Sequence, residues 1–468
     1  MRAVALLCLG LSIAQAAAAA ANAGLPMPVA RALDQAGVPR QALGVVVHEL
    51  NADRNLVDVQ SAQPFAPASL MKLVTTAAAL DMLGPTYSWR TQVLSAATLR
   101  GDVLDGDLVI RGGGDPRLTI EHLWLMLRQL RQRGVREIRG NLVLDRSAFQ
   151  LDAGDPAAFD GDPDRPYNAL PDALLLNYKA LTFRFLPDEK AGLVRLGMEP
   201  PLAQWSVAAP QLAGGDCQDW RANLHMHPGQ HGLAFDGSYP LSCGERSLAW
   251  HAWNLSPDQY FGAVFRRIWR ELGGSLQGQV QSGPTPDNAQ PLVEWRSPPL
   301  IEIIRDINKY SNNVMARHVF LTLGAERQGL PGTVQKGAMT VQAWMADKGM
   351  GIQGLQLENG SGLSRNERIA PATLAQLLNW AWQGPLMPEY FSSLPLAGQD
   401  GTMRNRLRNA ASMAHIKTGS LSDVRGIAGY VQASSGRRYV VVAIVNHPGA
   451  SASAAALDAL LQWVIDKG

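Results

Sequence analysis

Residues 67–85 read PASLMKLVTTAAALDMLGP. Leu70, Leu73, Val74, Ala77, Leu80 and Leu83 recur at helical spacing, and Gly84-Pro85 ends the run. Ser69 therefore falls at the first turn of a mostly apolar helix, where a buried scaffold can place it. Lys72 follows about one helical turn later, so the hydroxyl and the amine share a face. A serine hydroxyl is inert at its ordinary pKa, and a desolvated lysine beside it can accept its proton. The free N–H groups of a helix start also favour negative charge developing nearby. Taken alone, Ser-x-x-Lys equally describes a helix cap beside a snorkelling lysine.

Two later segments supply what such a nucleophile needs. Ser311-Asn312-Asn313, within NKYSNNVMA, offers a hydroxyl that can relay a proton towards a leaving amine. The Asn313 amide donates and accepts, which suits it to orient Lys72 and a substrate carbonyl. Lys417-Thr418-Gly419-Ser420 opens a C-terminal alternating run. A lysine beside a hydroxyl can hold a carboxylate, and Gly419 lets a substrate approach the strand closely. The backbone N–H groups of Ser69 and Ser420 are candidates for a joint oxyanion hole. Read separately, these segments are also a polar helix start and an ordinary turn entering a strand.

The surrounding pattern is helical and sheet-like at both ends of the chain. Residues 41–60 alternate around Asn51-Ala52-Asp53 and predict a hairpin. Helices are expected over 300–310, 313–323, 340–348, 371–382 and 454–465. Strands are expected over 424–431 and 439–445, joined at Ser435-Gly436-Arg437. Between about 90 and 290 the texture shifts to short strands, such as 106–110 and 141–145, with one amphipathic helix at 120–133. Residues 152–166 are dense in Asp, Gly and Pro and read as an exposed loop, and 175–250 are again strand-rich. The expected fold class is α+β and multidomain, a helix–sheet domain split by a large strand-rich insertion. The divisions are 24–92 with 290–468, then 93–175 with 272–289, then 176–271.

The chain has 468 residues, 46% apolar and 18% charged, with a net charge of +2. That composition supports folded domains and gives no bulk basis for nucleic-acid binding. Residues 1–23 read as a secretory signal: Arg2, an apolar run from Val4 to Ile13, then Ala21-Asn22-Ala23 as a cleavage site, with Ala16-Ala17-Ala18 an alternative. An uncleaved anchor is the competing reading, although the run is short for a span of about 20 residues. Membrane contact is otherwise expected to be peripheral at most. Removing the leader takes Cys8 with it and leaves Cys217 and Cys243, an even pair that in an oxidising compartment predicts a disulfide. Loop closure makes such a bond worth about 3–4 kcal/mol. Two free thiols, or a metal site completed by His225, His227 and His231, are the alternatives. GGGD at 112–115 lacks the Gly-Lys-Ser/Thr of a nucleotide loop.

In order, Ser-x-x-Lys, Ser-x-Asn and Lys-Thr-Gly match the signature set of serine β-lactamases and penicillin-binding proteins. The sequence resembles the class C low-molecular-mass penicillin-binding proteins, the D-alanyl-D-alanine carboxypeptidase/endopeptidase family of serine peptidases. PASLMKL at 67–73, GGGDPRL at 112–118, SPPLIEIIRDINKYSNN at 297–313 and NGSGLSR at 359–365 carry the resemblance. LPLAGQDGTMRNRL at 394–407 and HIKTGSLSDVRGIAGYV at 415–431 extend it over nearly the whole mature chain. The long insertion between the first two motifs is also a mark of the family.

The resemblance implies a periplasmic enzyme that works on peptidoglycan stem peptides and their cross-links without a cofactor or metal. It would remove terminal D-alanine and cut D-alanyl–diaminopimelyl bridges, and β-lactams would acylate its serine. On this sequence Ser69 is the nucleophile, Lys72 its base, Ser311 the proton shuttle and Asn313 an orienting group. Lys417 and Thr418 would hold the carboxylate, beside Ser420. The family's aspartate for the free amine of diaminopimelate falls on Asp162, with Asp164 as a second candidate. The middle motif reads Ser-Asn-Asn, as in this family, rather than Ser-Asp-Asn. Asn359-Gly360-Ser361-Gly362 stands where Asp-Gly-Ser-Gly is the commoner form, so Glu358 and Asn359 receive no catalytic role. A serine β-lactamase or esterase, and a non-catalytic cell-wall binding protein, are the rival readings. The sequence does not fix oligomeric state.

Overall fold

The computed structural model describes residues 24–52, 54–229 and 232–468. The leader over 1–23, Asp53 of the expected turn and His231 lie outside the described residues.

A five-stranded antiparallel sheet organises the first and last parts of the chain, in the order Ala414–Ser420, Val424–Gln432, Arg438–Asn446, Leu43–Glu49, Arg54–Val59. Its inner strands are buried on both faces, so they read as near-continuous apolar runs. Side chains alternate across a strand, and the core divides accordingly. Val45, Val47, Val441 and Ala443 pack with the helices Met27–Gln35 and Ala454–Lys467. Val46, Val440, Val442 and Ile444 pack with the helices Met71–Leu83, Leu300–Tyr310, Asn313–Gln328 and Pro371–Gln383. The Met71–Leu83 helix is buried almost all round, as a helix apolar on every side must be. Its expected start shifts: Ala68–Leu70 form a 3-10 turn, with Ala68 at φ +49°, and the α-helix begins at Met71.

The insertion is built from smaller sheets around one shared apolar cluster. The nearer part holds a sheet ordered Val280–Ser282, Leu142–Asp145, Leu108–Gly112, Arg90–Ser95, Gln290–Arg296. Because Arg90–Ser95 pairs with Gln290–Arg296, both strands belong to the insert, which moves the expected divisions at 92 and 290 outward. The farther part holds Ala180–Asp188 between Leu193–Glu199 and Arg246–His251, with a second small sheet around Gly232–Pro240. The helix Pro257–Glu271, absent from the sequence reading, packs on Ile120–Gln132 and on the short strands at 275–276 and 280–282. It therefore joins the nearer part, and the division expected at 271 falls closer to 251. A signal for it was present: Ser256 accepts from Gln259 N and Gln259 reaches back, a capping box ahead of Pro257.

Residues 152–165 form no helix or strand, as expected of an exposed loop. Cys217 and Cys243 are joined, with Cα atoms 4.8 Å apart, so neither thiol is free for a metal. His225 and His227 lie on the strand Leu224–Gly229 rather than in a loop, and His227 faces Asp236 at 3.1 Å. No described helix is long and apolar enough to cross a membrane.

Candidate active site

The three motifs converge. Lys72 is fully buried, and its Nζ donates to Ser69 Oγ at 2.8 Å, Asn313 Oδ1 at 2.6 Å and the Ser361 carbonyl at 2.5 Å. An ammonium has three donors, and each has an acceptor here. Burial, then the positive charge of Lys417, pulls the Lys72 amine well below its ordinary value, with Glu367 opposing and Arg317 assisting. That shift favours the neutral amine, the form able to take a proton.

Ser311 occupies the left-handed conformation at φ +58°, in the break between Leu300–Tyr310 and Asn313–Gln328. The break turns its hydroxyl to Lys417, whose Nζ donates to Ser311 Oγ at 2.9 Å and to the Thr418 carbonyl at 2.8 Å. Such backbone is costly for a non-glycine residue, by about 1–3 kcal/mol, and is held by its surroundings. Asn312 caps the second helix by accepting from Met315 N at 3.0 Å, which leaves Asn313 to face Lys72. Burial pushes Lys417 down to about 7. Thr418 Oγ1 donates to Thr402 Oγ1 at 2.8 Å.

Ala414–Ser420 is an edge strand of the central sheet. Pro395 and Ala397 bond to its first half, with Ile416 N donating to the Pro395 carbonyl at 2.8 Å and Ala397 N to the Ala414 carbonyl at 2.9 Å. Its second half is the stretch suited to pair with an extended peptide. It passes the 68–70 turn closely: a Cβ on Gly419 would lie 2.7 Å from the Pro67 carbonyl. Ser420, at the strand's end, is exposed. Asn313 Nδ2 lies 3.5 Å from the Tyr167 carbonyl, which ties the 152–172 loop to the site. Asp162, on that loop, is exposed, with its carboxylate 3.5 Å from Arg165 Nε. Asp164 is held otherwise: its carbonyl accepts from His251 N at 2.7 Å.

The sequence reading missed one part of the site. The Ser361 carbonyl belongs to a tight turn organised by Glu367, which is 1% exposed. Glu367 Oε1 accepts from Glu358, Asn359 and Gly360 N–H at 3.1, 2.9 and 2.8 Å, and Oε2 accepts from Gly362 N–H at 2.8 Å. Burial raises the Glu367 carboxyl while those four donors lower it. Gly362 has φ +79°, and a Cβ there would collide with the Ala68 carbonyl, so the turn abuts the nucleophile's backbone. Asn359 Oδ1 accepts from Ser361 N and Oγ at 2.9 and 2.7 Å, which shapes the turn without touching Lys72. We expect Glu367→Gln to lose about 1–3 kcal/mol of stability, because one of the two accepting oxygens becomes an NH2 that faces backbone N–H. Urea unfolding measures this, and an unchanged midpoint contradicts it.

Comparison with known proteins gives the family. The profile of the D-Ala-D-Ala carboxypeptidase 3 (S13) family matches residues 26–466. The chain belongs to that family. Members of the S13 family are serine-type D-alanyl-D-alanine carboxypeptidases/endopeptidases acting on peptidoglycan, and this chain is such an enzyme. It is 30% identical over 424 residues to a D-alanyl-D-alanine carboxypeptidase of Actinomadura sp. (strain R39), covering 86% of this chain and 77% of that one. It is 25% identical over 413 residues to D-alanyl-D-alanine carboxypeptidase DacB of Haemophilus influenzae, covering 86% and 85%. In fold it resembles the crystal structure of penicillin binding protein 4 from Haemophilus influenzae, with a TM-score of 0.77 at 23% identity over 94% of this chain and 99% of that one. The S13 fold is thus the α+β architecture read from the sequence, a helix–sheet–helix domain with a strand-rich insertion. A periplasmic location is typical of the family.

Proposed function

We propose that the S13 reaction runs here through an acyl-serine on Ser69, with Lys72 as its base. The observation that supports this most directly is the 2.8 Å bond between Lys72 Nζ and Ser69 Oγ, in surroundings that favour the neutral amine. Neutral Lys72 accepts the Ser69 proton as Oγ bonds to the carbonyl carbon of a stem peptide's D-alanyl residue. The N–H groups of Ser69 and Ser420 hold the oxyanion. As the C–N bond breaks, the proton taken up by Lys72 is relayed through the Ser311 hydroxyl to the leaving amine, and Lys72 returns to its neutral form. That amine is D-alanine's in the carboxypeptidase reaction and diaminopimelate's in the endopeptidase reaction. Asn313 orients Lys72 and the substrate, and Lys417 and Thr418 hold the terminal carboxylate. Water then cleaves the ester and restores Ser69.

A β-lactam acylates the same hydroxyl and leaves slowly. Intact-mass analysis of the exported protein after penicillin treatment, followed by peptide mapping, tests two points together. The chain should begin near residue 24, and a single persistent adduct should sit on Ser69. Labelling elsewhere, or rapid multiple turnover of penicillin as in a β-lactamase, rejects the mechanism.

The exposed Asp162 carboxylate is suited to the free amine of diaminopimelate. Asp162→Asn should lower kcat/KM for a substrate carrying that amine about tenfold relative to its N-acetylated analogue, in line with a lost charge-assisted hydrogen bond. An unchanged ratio rejects the role.

A further inference from the structure

Residues 394–407 lie beside the cleft without a part in the steps above. Once past the first half of the edge strand, this segment turns sharply. Gly398 N donates to the Met403 carbonyl at 3.1 Å, and the Met403 side chain is fully buried. The turn brings the exposed Thr402 to the strand's second half, with its Oγ1 2.8 Å from Thr418 Oγ1.

Two contacts fasten the turn to the end of the Leu300–Tyr310 helix, just ahead of Ser311. Lys309 Nζ donates to Asp400 Oδ2 at 2.6 Å, and Asp400 Oδ1 accepts from Leu396 N at 2.7 Å. Gly401, at φ +55°, passes so close that a Cβ would lie 2.5 Å from the Lys309 carbonyl. The Lys309 side chain is only 8% exposed, so it depends on its counter-charge. These contacts close a ring around the cleft's cationic end. Ser311 accepts from Lys417, Thr418 meets Thr402, Asp400 holds Lys309, and Lys309 leads back along the helix to Ser311.

A threonine hydroxyl carries one proton and two acceptor lone pairs, so the bond between Thr402 and Thr418 can run either way. When a substrate carboxylate takes the Thr418 proton, Thr402 donates to Thr418 Oγ1 in its place, and each bond polarises the next. We propose that Thr402 is a positioning residue that aims the Thr418 hydroxyl at the substrate, and that the Lys309–Asp400 pair holds Thr402 there. The inference rests on the reading of Lys417 and Thr418 as the carboxylate clamp and deepens it. Thr402 and Asp400 act through Thr418 and touch no reacting atom.

The test compares a peptide ending in D-alanyl-D-alanine with the same peptide amidated at its C-terminus. Rates are normalised to penicillin-titrated sites, so misfolded protein does not count. Thr402→Val should lower kcat/KM for the acid about tenfold, chiefly through KM, the scale of one hydrogen bond to a charged group. It should leave the amide nearly unchanged, and Thr402→Ser should restore the acid. Asp400→Asn should show the same selective loss, as should Lys309→Gln combined with Asp400→Asn, which strands no charge. Adding Thr402→Val to Asp400→Asn should cost little more than Thr402→Val alone, because the two act on one contact. Equal losses on acid and amide overturn the proposal, as does an unchanged Thr402→Val or a double variant whose losses multiply. Equal use of acid and amide by the wild type is a separate outcome: it overturns the carboxylate clamp itself and the proposal with it.

Discussion

Ser69→Ala lowers D-alanine release from a disaccharide pentapeptide by a factor on the order of a millionfold, the scale seen when a serine nucleophile acting with its base is deleted. The loss should fall on kcat. Lys72 keeps Asn313 Oδ1 and the Ser361 carbonyl as acceptors, so the site retains its shape without the hydroxyl. The edge strand Ala414–Ser420 that would bind substrate is unaffected. Single-turnover assays on pure variant are decisive, and release within about tenfold of wild type would end the assignment of Ser69 as nucleophile.

Lys72→Arg should slow acylation by penicillin roughly a thousandfold, within the range for losing a general base. A guanidinium stays charged at every accessible pH and cannot accept the Ser69 proton. Lys72→Gln should show the same loss and guards against the larger side chain merely disrupting a fully buried site. The pH dependence gives an independent readout. The Lys72 amine is depressed, and only its neutral form acts, so wild-type acylation rises with pH through that pKa. Lys417, held down at about 7, loses its charge as pH rises through that value, so kcat/KM for carboxylate-bearing substrates falls on its alkaline side. Stopped-flow acylation across pH 5–10 should show the acid limb in the wild type and lose it in both variants. An acid limb that persists in Lys72→Gln assigns the base elsewhere.

The sequence revealed most where local pattern and fold agree. Residues 300–310 and 371–382 carried clear helical spacing and form helices with nearly those limits. The sheet strands at 424–432 and 438–446 were equally plain, because cover on both faces makes them long apolar runs. The order of the three motifs and the resemblance carried by their long flanking strings lead to the expectation that Ser69, Lys72, Ser311, Asn313 and Lys417 lie together. Their hydrogen bonds join Lys72 to Ser69 and Asn313, and Lys417 to Ser311. The Glu367 turn was less legible, since its main acceptor role is towards backbone N–H groups and backbone leaves no residue signature. The Pro257–Glu271 helix was obscured by its aromatic content, Tyr260, Phe261, Phe265 and Trp269, which suits strands as well as helices.

The pairing of Leu43–Glu49 with Arg438–Asn446 makes completion of the cleft a matter of chain order. A polypeptide threaded through a membrane from its N-terminus delivers Ser69 early, while the partner that completes its sheet emerges almost last. Until that late strand docks, Lys417 is absent from beside Ser311 and the hydroxyl has no finished cleft around it. The cleft is thus closed by the last part of the chain folding back onto the first, and topology sets the order in which it can form.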